Sequence, residues 1–321
     1  MAVLPPFKTM SFTTEIKQEI AYNELKECCA KAELSALMQL TSSLTIANKQ
    51  LGILVRTENP TTAKRIVYLL KKTYKAQTEL VMARKTNLKK NNVYTININE
   101  NARDILEDLG LYSSKGLQSH PSYTIVLKDC CARAYVAGAF LAYGSCNSPN
   151  KSNYHLEITL AELDHANFVG KLLSRFNIES KITKRRNKYV VYIKKADLIS
   201  DFLRLVGANE SLMNFEEIRI ERDMRNSMIR LDNCEIANEV KTIRAAQNQV
   251  EYMERIKNSN KYTSLDEKLR NVVDLRLKYQ DYSLLELCNA YQKAYGDVIS
   301  KSGMKHRLNK IEAIAKELDE Q

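Results

Sequence analysis

The chain has 321 residues, 44% of them hydrophobic and 27% charged, with 49 Lys and Arg against 38 Asp and Glu for a net charge of +11. This is the composition of a globular fold and excludes wholesale disorder, while nine glycines and five prolines exclude collagen and a turn-dense β-sandwich. No apolar run reaches the ~18 residues of a membrane-spanning helix, so the cationic excess points to polyanionic partners, nucleic acid ahead of an anionic membrane surface.

The first ten residues, MAVLPPFKTM, lack the charged segment and apolar core of a secretory signal. SFTTEIKQEI opens a helix directly after Met10, which makes Met10 a candidate start of translation. The seven cysteines are Cys28, Cys29, Cys130, Cys131, Cys146, Cys234 and Cys288. An odd number with adjacent pairs makes a poor disulfide framework, and a reducing cytoplasm is the expected setting.

Residues 28–34, CCAKAEL, return at an offset of 102 as CCARAYV, residues 130–136. Extending the offset aligns LSALMQLTSS (34–43) with VAGAFLAYGS (136–145). Both read as helices with small residues on one stripe: Ser35 and Ala36 in the first, Ala137, Gly138 and Ala142 in the second. In the first copy, 43–57 then reads as two strands around a turn, and NPTTAKRIVYLLKKTY (59–74) as a helix capped by Asn59 with Pro60 at its first position. QTELVMARKT (77–86) and NVYTINI (92–98) alternate as strands do, and NARDILEDLG (101–110) closes the unit as a short helix. The second copy runs through Gly144 to Ser148, a strand at 154–160, a helix at 161–176, strands at 178–186 and 188–195, and a closing helix at 196–207. Each copy is thus α-β-β-α-β-β-α. A sheet built this way has a face to cover, so the two copies are expected to pack through their first helices.

This tandem pair resembles the LAGLIDADG homing-endonuclease fold, in which two motif helices cross at a pseudo-twofold axis and two sheets form a saddle over DNA. The resemblance implies an α+β class. Endonucleases of that fold hold divalent metals with one carboxylate at the end of each motif helix. Aligning VAGAFLAYG on LAGLIDADG places Tyr143 at the eighth position, and Thr41 matches it in the first copy. Neither is an anionic ligand at neutral pH, and the nearest acids, such as Glu33 and Glu157, lie outside the motif position. The expectation is a degenerate endonuclease fold with no catalytic residues, no metal and no nuclease activity.

Residues 1–207 hold 30 basic and 18 acidic side chains, whereas 208–321 hold 19 and 20. The densest stretch, KITKRRNKYVVYIKK (181–195), has seven basic residues and no acid; MARKTNLKKNN (82–92) has four and none. These hairpins have two readings. One is a phosphate-binding surface with Lys184, Arg185, Arg186 and Lys188 as secondary contacts. The other is a solvated strand edge protected from edge-to-edge pairing. Tyr94, Tyr189 and Tyr192 read as packing residues. The vicinal cysteines read as small, buried starts of their helices rather than metal ligands or redox sensors, because no CxxC occurs and His120, His155, His165 and His306 lack ligand spacing. No glycine-rich nucleotide motif and no Ser–His or Cys–His spacing is present, so no cofactor is expected.

Residues 212–260 read as helical, with Asn233 as a cap between two segments and Ile236, Val240, Ile243, Val250 and Met253 at helical spacing. Three helices follow, and Ser264–Glu267 and Ser283–Glu286 are capping-box starts for the first two. The first directs Leu265, Leu269, Val272, Val273 and Leu277 to a core. The third begins near Ser300 or Ser302 and carries the stripe Met304, Leu308, Ile311, Ala315 and Leu318, opposite Lys301, Lys305, His306, Arg307, Asn309 and Lys310. This is the layout of a helix-turn-helix, whose last helix lies in the major groove. Arg and Lys donate to guanine, Asn pairs with adenine, and Ser hydroxyls and free N–H groups at helix starts bind phosphate. The candidate contacts to double-stranded DNA are Ser283, Ser300, Lys301, Ser302, Lys305, His306, Arg307, Asn309 and Lys310. The expected division is two LAGLIDADG-like repeats (10–110 and 111–210), a helical connector (211–260) and an all-α helix-turn-helix domain (261–321).

The combination resembles the WhiA family. The segments that carry the likeness are CCARAYVAGAFLAYGSCNSP (130–149), NCEIANEVKTIRAAQNQ (233–249) and SKSGMKHRLNKIEAIA (300–315), and it covers essentially all of Met10–Leu318. Tyr143 is a departure, since the family often has a small residue there. The resemblance implies a bacterial transcription regulator of cell division, chromosome segregation and, in sporulating species, sporulation. It also implies a cytoplasmic, nucleoid-associated location and a regulatory protein partner, an iron–sulfur regulator in actinobacterial members. Rival readings are an active endonuclease or RNA maturase, and a division-protein scaffold with incidental DNA binding. Membrane-surface binding through 181–195 is a weaker third.

Overall fold

The structure is a computed structural model that describes residues 10–47, 50–84, 92–114 and 116–319. These residues form two compact units that meet in sequence between Arg222 and Asp223.

In the first unit, helix α1 (Phe12–Tyr22) is capped by Ser11, whose Oγ accepts the Thr14 N–H, and buries Phe12, Ile16 and Ile20. The first repeat is α2 (Glu27–Thr41), β1 (Ser42–Ala47), β2 (Gln50–Thr57), α3 (Pro60–Tyr74), β3 (Glu79–Arg84), β4 (Asn92–Ile98) and α4 (Ala102–Asp108). A small hairpin, β5 (Tyr112–Ser113) with β6 (Gly116–Leu117), and a 3₁₀ turn at Tyr123–Val126 lead onward. The second repeat is α5 (Asp129–Tyr143), β7 (Gly144–Cys146), β8 (Leu156–Leu160), α6 (Leu163–Ser174), β9 (Lys181–Arg185), β10 (Lys188–Ile193) and α7 (Ala196–Val206). The element order is the one the repeat predicts. Asn59 caps α3 as expected, its Oδ1 accepting from the Thr61 and Thr62 N–H groups at 2.9 and 3.2 Å, with Pro60 next. Gly207 ends α7 at φ +75°, where a side chain would be strained.

The two sheets have orders β1-β2-β4-β3 and β7-β8-β10-β9, antiparallel throughout, so the repeats are topologically equivalent. Alternation is plain on β8, where Leu156, Ile158 and Leu160 are buried. Strands β3 and β9 lie at equivalent edges with every side chain exposed. Of the basic stretch 82–92, residues 85–91 lie outside the described residues.

Helices α2 and α5 join the repeats, and the stripe of small residues explains how closely. A Cβ at Gly138 would sit 2.5 Å from the backbone oxygen of Glu33 and 3.0 Å from the Ala36 Cβ. Ala32, Ala36, Ala134 and Ala137 are buried. The core runs without a break from one repeat to the other, and Thr62 of α3 donates to the Leu141 carbonyl of α5 at 2.9 Å.

This pairing corrects the reading of the cysteines. Each pair does start its helix, but only Cys29 and Cys131 are buried; Cys28 is half-buried and Cys130 exposed, and the two pairs do not lie apart. The helix contact brings all four sulfur atoms within 4.8 Å of one another.

Helix α8 (Asn209–Lys257) is a single 49-residue helix that runs through the boundary between the units. Asn233 is therefore not a cap: it lies exposed in the helix interior, where its side chain reaches water and the backbone ladder continues past it. Ile236, Val240 and Ile243 are exposed; Met253, further along, is buried. Four helices complete the second unit: α9 (Lys261–Ser264), α10 (Glu267–Lys278), α11 (Leu284–Tyr295) and α12 (Lys301–Asp319). The capping box expected at Ser264–Glu267 does not form. Ser264 closes α9 instead, its Oγ donating to the Lys261 carbonyl at 2.8 Å, and Asp266 takes the cap position of α10. Leu269, Val272, Val273, Leu287, Tyr291, Met304, Leu308, Ile311 and Ala315 form the core of this unit, with Leu277 and Leu318 packed at its margin.

Candidate nucleic-acid interface

The core of the second unit fixes which face of α12 reaches solvent. Met304, Leu308, Ile311 and Ala315 are buried against α10 and α11, so the residues between them turn outward. Lys301, Ser302, Lys305, His306, Asn309 and Lys310 are all exposed. They form two i,i+4 rows, 301-305-309 and 302-306-310. Ser300 caps the helix, its Oγ accepting from the Gly303 N–H at 3.1 Å and lying 3.0 Å from the Ser302 Oγ. These six side chains lie on the outward side of the helix.

Two residues of the set are placed differently. Arg307 is half-buried: its guanidinium lies 5.1 Å from the centre of the Tyr291 ring on α11, and its Nη1 is buried without an acceptor among the described residues. It braces α12 against α11 rather than projecting with its neighbours. Ser283 forms the expected capping box of α11, accepting from the Glu286 N–H and donating its own N–H to Glu286 Oε2 at 2.7 Å. The Glu286 carboxylate thereby occupies the helix end that the sequence reading reserved for a phosphate. Sequence reasoning also missed Arg276. It is buried on α10 and donates to the Tyr282 carbonyl at 2.5 Å, tying down the turn before α11. Nothing in its spacing separates it from the solvated cations beside it.

In the first unit, Lys184, Arg185, Arg186 and Lys188 are exposed on the β9–β10 hairpin, with Arg186 at φ +57° in its turn. Arg185 reaches toward Glu157 at 3.8 Å, and Lys188 lies 5.5 Å from the centre of the Tyr143 ring. Tyr143 thus fills the end of α5 and meets a cation of the neighbouring sheet.

The ends of the motif helices do not fit a divalent-metal site. Thr41 is buried and donates its hydroxyl to the Leu37 carbonyl at 2.7 Å. Glu33 is buried and bound to Arg65 at 2.6 Å; burial raises its carboxyl while Arg65 opposes the rise. Glu157 is engaged by His155 at 3.0 Å. A cavity of about 1100 Å³ opens beside Tyr143, lined by Lys17, Arg56 and Glu58 among others. One carboxylate beside two cations is not the donor set of a two-metal centre. Burial also lowers Lys17 there to about 8.

Residues 27–112 match the WhiA N-terminal LAGLIDADG-like domain, residues 132–225 the WhiA LAGLIDADG-like domain, and residues 228–315 the WhiA C-terminal HTH domain. The chain belongs to the WhiA family. The probable cell division proteins WhiA of Bacillus cytotoxicus and Bacillus licheniformis are each 45% identical to it over 310 residues, covering 96% of this chain and 97% of theirs. Full-length DUF199/WhiA from Thermatoga maritima has the same fold, with a TM-score of 0.59 at 23% identity over 96% of this chain and 99% of that one. The WhiA assignment and the α+β, LAGLIDADG-like architecture read from the sequence are both met.

Proposed function

We propose that this chain is a non-catalytic, DNA-binding regulator of cell division that reads duplex DNA with α12. The observation that carries the reading is the outward face of that helix. Six exposed polar or cationic side chains occupy it, with no carboxylate between Lys301 and Lys310. A helix with its side chains is about 10–12 Å across, commensurate with a major groove about 12 Å wide. The three lysines supply phosphate contacts and Asn309 a base contact; Arg307 holds the helix at its angle through Tyr291. Lys184, Arg185, Arg186 and Lys188 add sequence-blind phosphate contacts. The names of the relatives support the cell-division role. Roles in chromosome segregation and sporulation, a nucleoid location and a regulatory protein partner belong to the same proposal.

The test is a fluorescence-anisotropy titration of the full chain on genomic promoter fragments over a range of salt. Lys305→Ala and Lys310→Ala each weaken binding to all sequences and lower the slope of log K against log salt by about 0.9. Asn309→Ala costs roughly 1–3 kcal/mol on preferred sites and little on random DNA. Unchanged slopes in both lysine variants refute the assignment of α12. Magnesium-dependent cleavage of supercoiled plasmid refutes the non-catalytic part.

A further inference from the structure

We propose that Cys28, Cys29, Cys130 and Cys131 form a tetrathiolate site for a structural Zn²⁺ that ties the two repeats together where α2 and α5 begin. The geometry comes first. Sulfur atoms at the corners of a tetrahedron with Zn–S bonds of about 2.3 Å lie roughly 3.8 Å apart. The two vicinal pairs are at 4.0 Å (Cys28 to Cys29) and 3.9 Å (Cys130 to Cys131), and no two of the four sulfurs are further apart than 4.8 Å. A polynuclear iron–sulfur cluster needs its thiolates spread more widely. An octahedral cation takes oxygen ligands.

The surroundings suit a thiolate site. Each pair occupies the second and third positions of a 15-residue helix, where the helix dipole favours anionic sulfur; burial pushes the Cys29 and Cys131 thiols up in the metal-free chain, a cost that a bound cation would offset. Binding displaces four thiol protons and leaves a centre of charge −2. Of the neighbouring cations, Lys26 and Arg133 line the cavity beside the cysteines, while Lys31 is engaged by Asp108; of the acids that directly precede the pairs, Asp129 is engaged by Arg175. Cys29 and Cys131 pack with Ala32, Ala134, Leu25 and Ile125, which closes one side to water. On the other side Cys130 is exposed, and a cavity of about 370 Å³ lined by Cys29, Cys130, Lys26 and Arg133 gives an ion a way in. The repetition of the pair in both repeats is what gives one ion four ligands.

The experiment uses the full chain, purified reduced and without chelator. Mass spectrometry of the metal content finds one Zn²⁺ per chain. Replacement by Co²⁺ produces thiolate-to-cobalt charge-transfer absorption and the visible bands of a tetrahedral ion. Cys130→Ser, which alters the exposed ligand, keeps the circular dichroism of the parent. It loses more Zn²⁺ affinity than the roughly 10–100-fold that an outer-shell partner costs. Three results overturn the proposal: an octahedral Co²⁺ spectrum, a zinc-free chain whose four thiols react freely, or a disulfide among these cysteines in the protein as isolated. The cobalt spectrum is read on the unaltered chain, so the proposal stays open to refutation if Cys130→Ser does not fold.

Discussion

Replacing Gly138 by Ala tests the contact on which the first unit is built. The added Cβ would lie 2.5 Å from the Glu33 backbone oxygen, about 0.9 Å inside ordinary contact. That oxygen belongs to the middle of α2 and cannot swing away as a side chain would, so the helices must separate. Overpacking of this kind costs about 1–3 kcal/mol, and a rigid backbone neighbour argues for the upper end. Ala in place of a helical Gly returns about 1 kcal/mol of propensity, leaving a net loss near 2. Gly170 on α6 isolates the steric part: the nearest atom to its Cβ would be at 3.6 Å, ordinary contact. Gly170→Ala therefore keeps only the propensity gain of about 1 kcal/mol. Urea unfolding followed by circular dichroism should place the two variants on opposite sides of the parent, about 3 kcal/mol apart. If both stabilise the protein alike, α2 and α5 do not approach as described.

Two further predictions concern buried charge. Glu33→Gln keeps one oxygen acceptor but leaves the Arg65 guanidinium buried without its counter-charge, with the Ala21 and Asn23 carbonyls at 2.8 and 3.0 Å as its other acceptors. The loss should be about 3–5 kcal/mol, and Glu33→Leu combined with Arg65→Met should recover most of it. A urea midpoint for Glu33→Gln equal to that of the parent would show that the pair carries no such weight. His165 is buried beside the Tyr135 hydroxyl at 2.8 Å; burial first, and then His120, lower its imidazole from 6.5 to about 4. Between those two values the unfolded chain binds the proton and the folded one does not, so stability rises with pH across that window. The contribution is complete above 6.5 and amounts to about 3 kcal/mol lost on acidification through 4. His165→Gln should flatten the acid limb of the urea midpoint plotted against pH; an unchanged limb would assign it to other groups.

Local chemistry was legible in the sequence where a residue had one way to satisfy its backbone. Asn59 followed by Pro60 permits little besides a helix start, and Ser283 with Glu286 closes its box as read. Ser264 carries the same spacing and fails, because the Lys261 carbonyl one turn earlier offers its hydroxyl a nearer partner. Asn233 reads as a cap only if the chain breaks there; α8 continues through it although Asp232 and Cys234 beside it are also weak helix formers. The α12 face follows from periodicity alone, since Met304, Leu308 and Ile311 dictate what lies opposite. Arg307 could not be read that way, because its environment is set by Tyr291, a residue of another helix. The cysteine cluster is the same case at longer range. Each pair is ordinary in sequence, and only the 102-residue repeat combined with the helix contact brings them together.

The distribution of charge bears on how the two halves would share a duplex. Residues 208–321, which include α12, carry 19 basic and 20 acidic side chains, so that region has almost no net attraction for a polyanion at a distance. Its cations matter only where they are arrayed, and three lysines on one face account for a salt slope of roughly 3. Residues 1–207 hold 30 basic against 18 acidic side chains, and a long-range field must come from there. A measured slope well above that of the three lysines would therefore have to be made up by the repeats, with the exposed β9–β10 hairpin as the first place to look. A slope near 3 would mean that the hairpin's cations serve the other purpose open to an edge strand, discouraging unwanted pairing. The loss of the acids from the motif helices is compatible with either outcome. Thr41 and Tyr143, at the ends of the motif helices, place no negative charge there in either case.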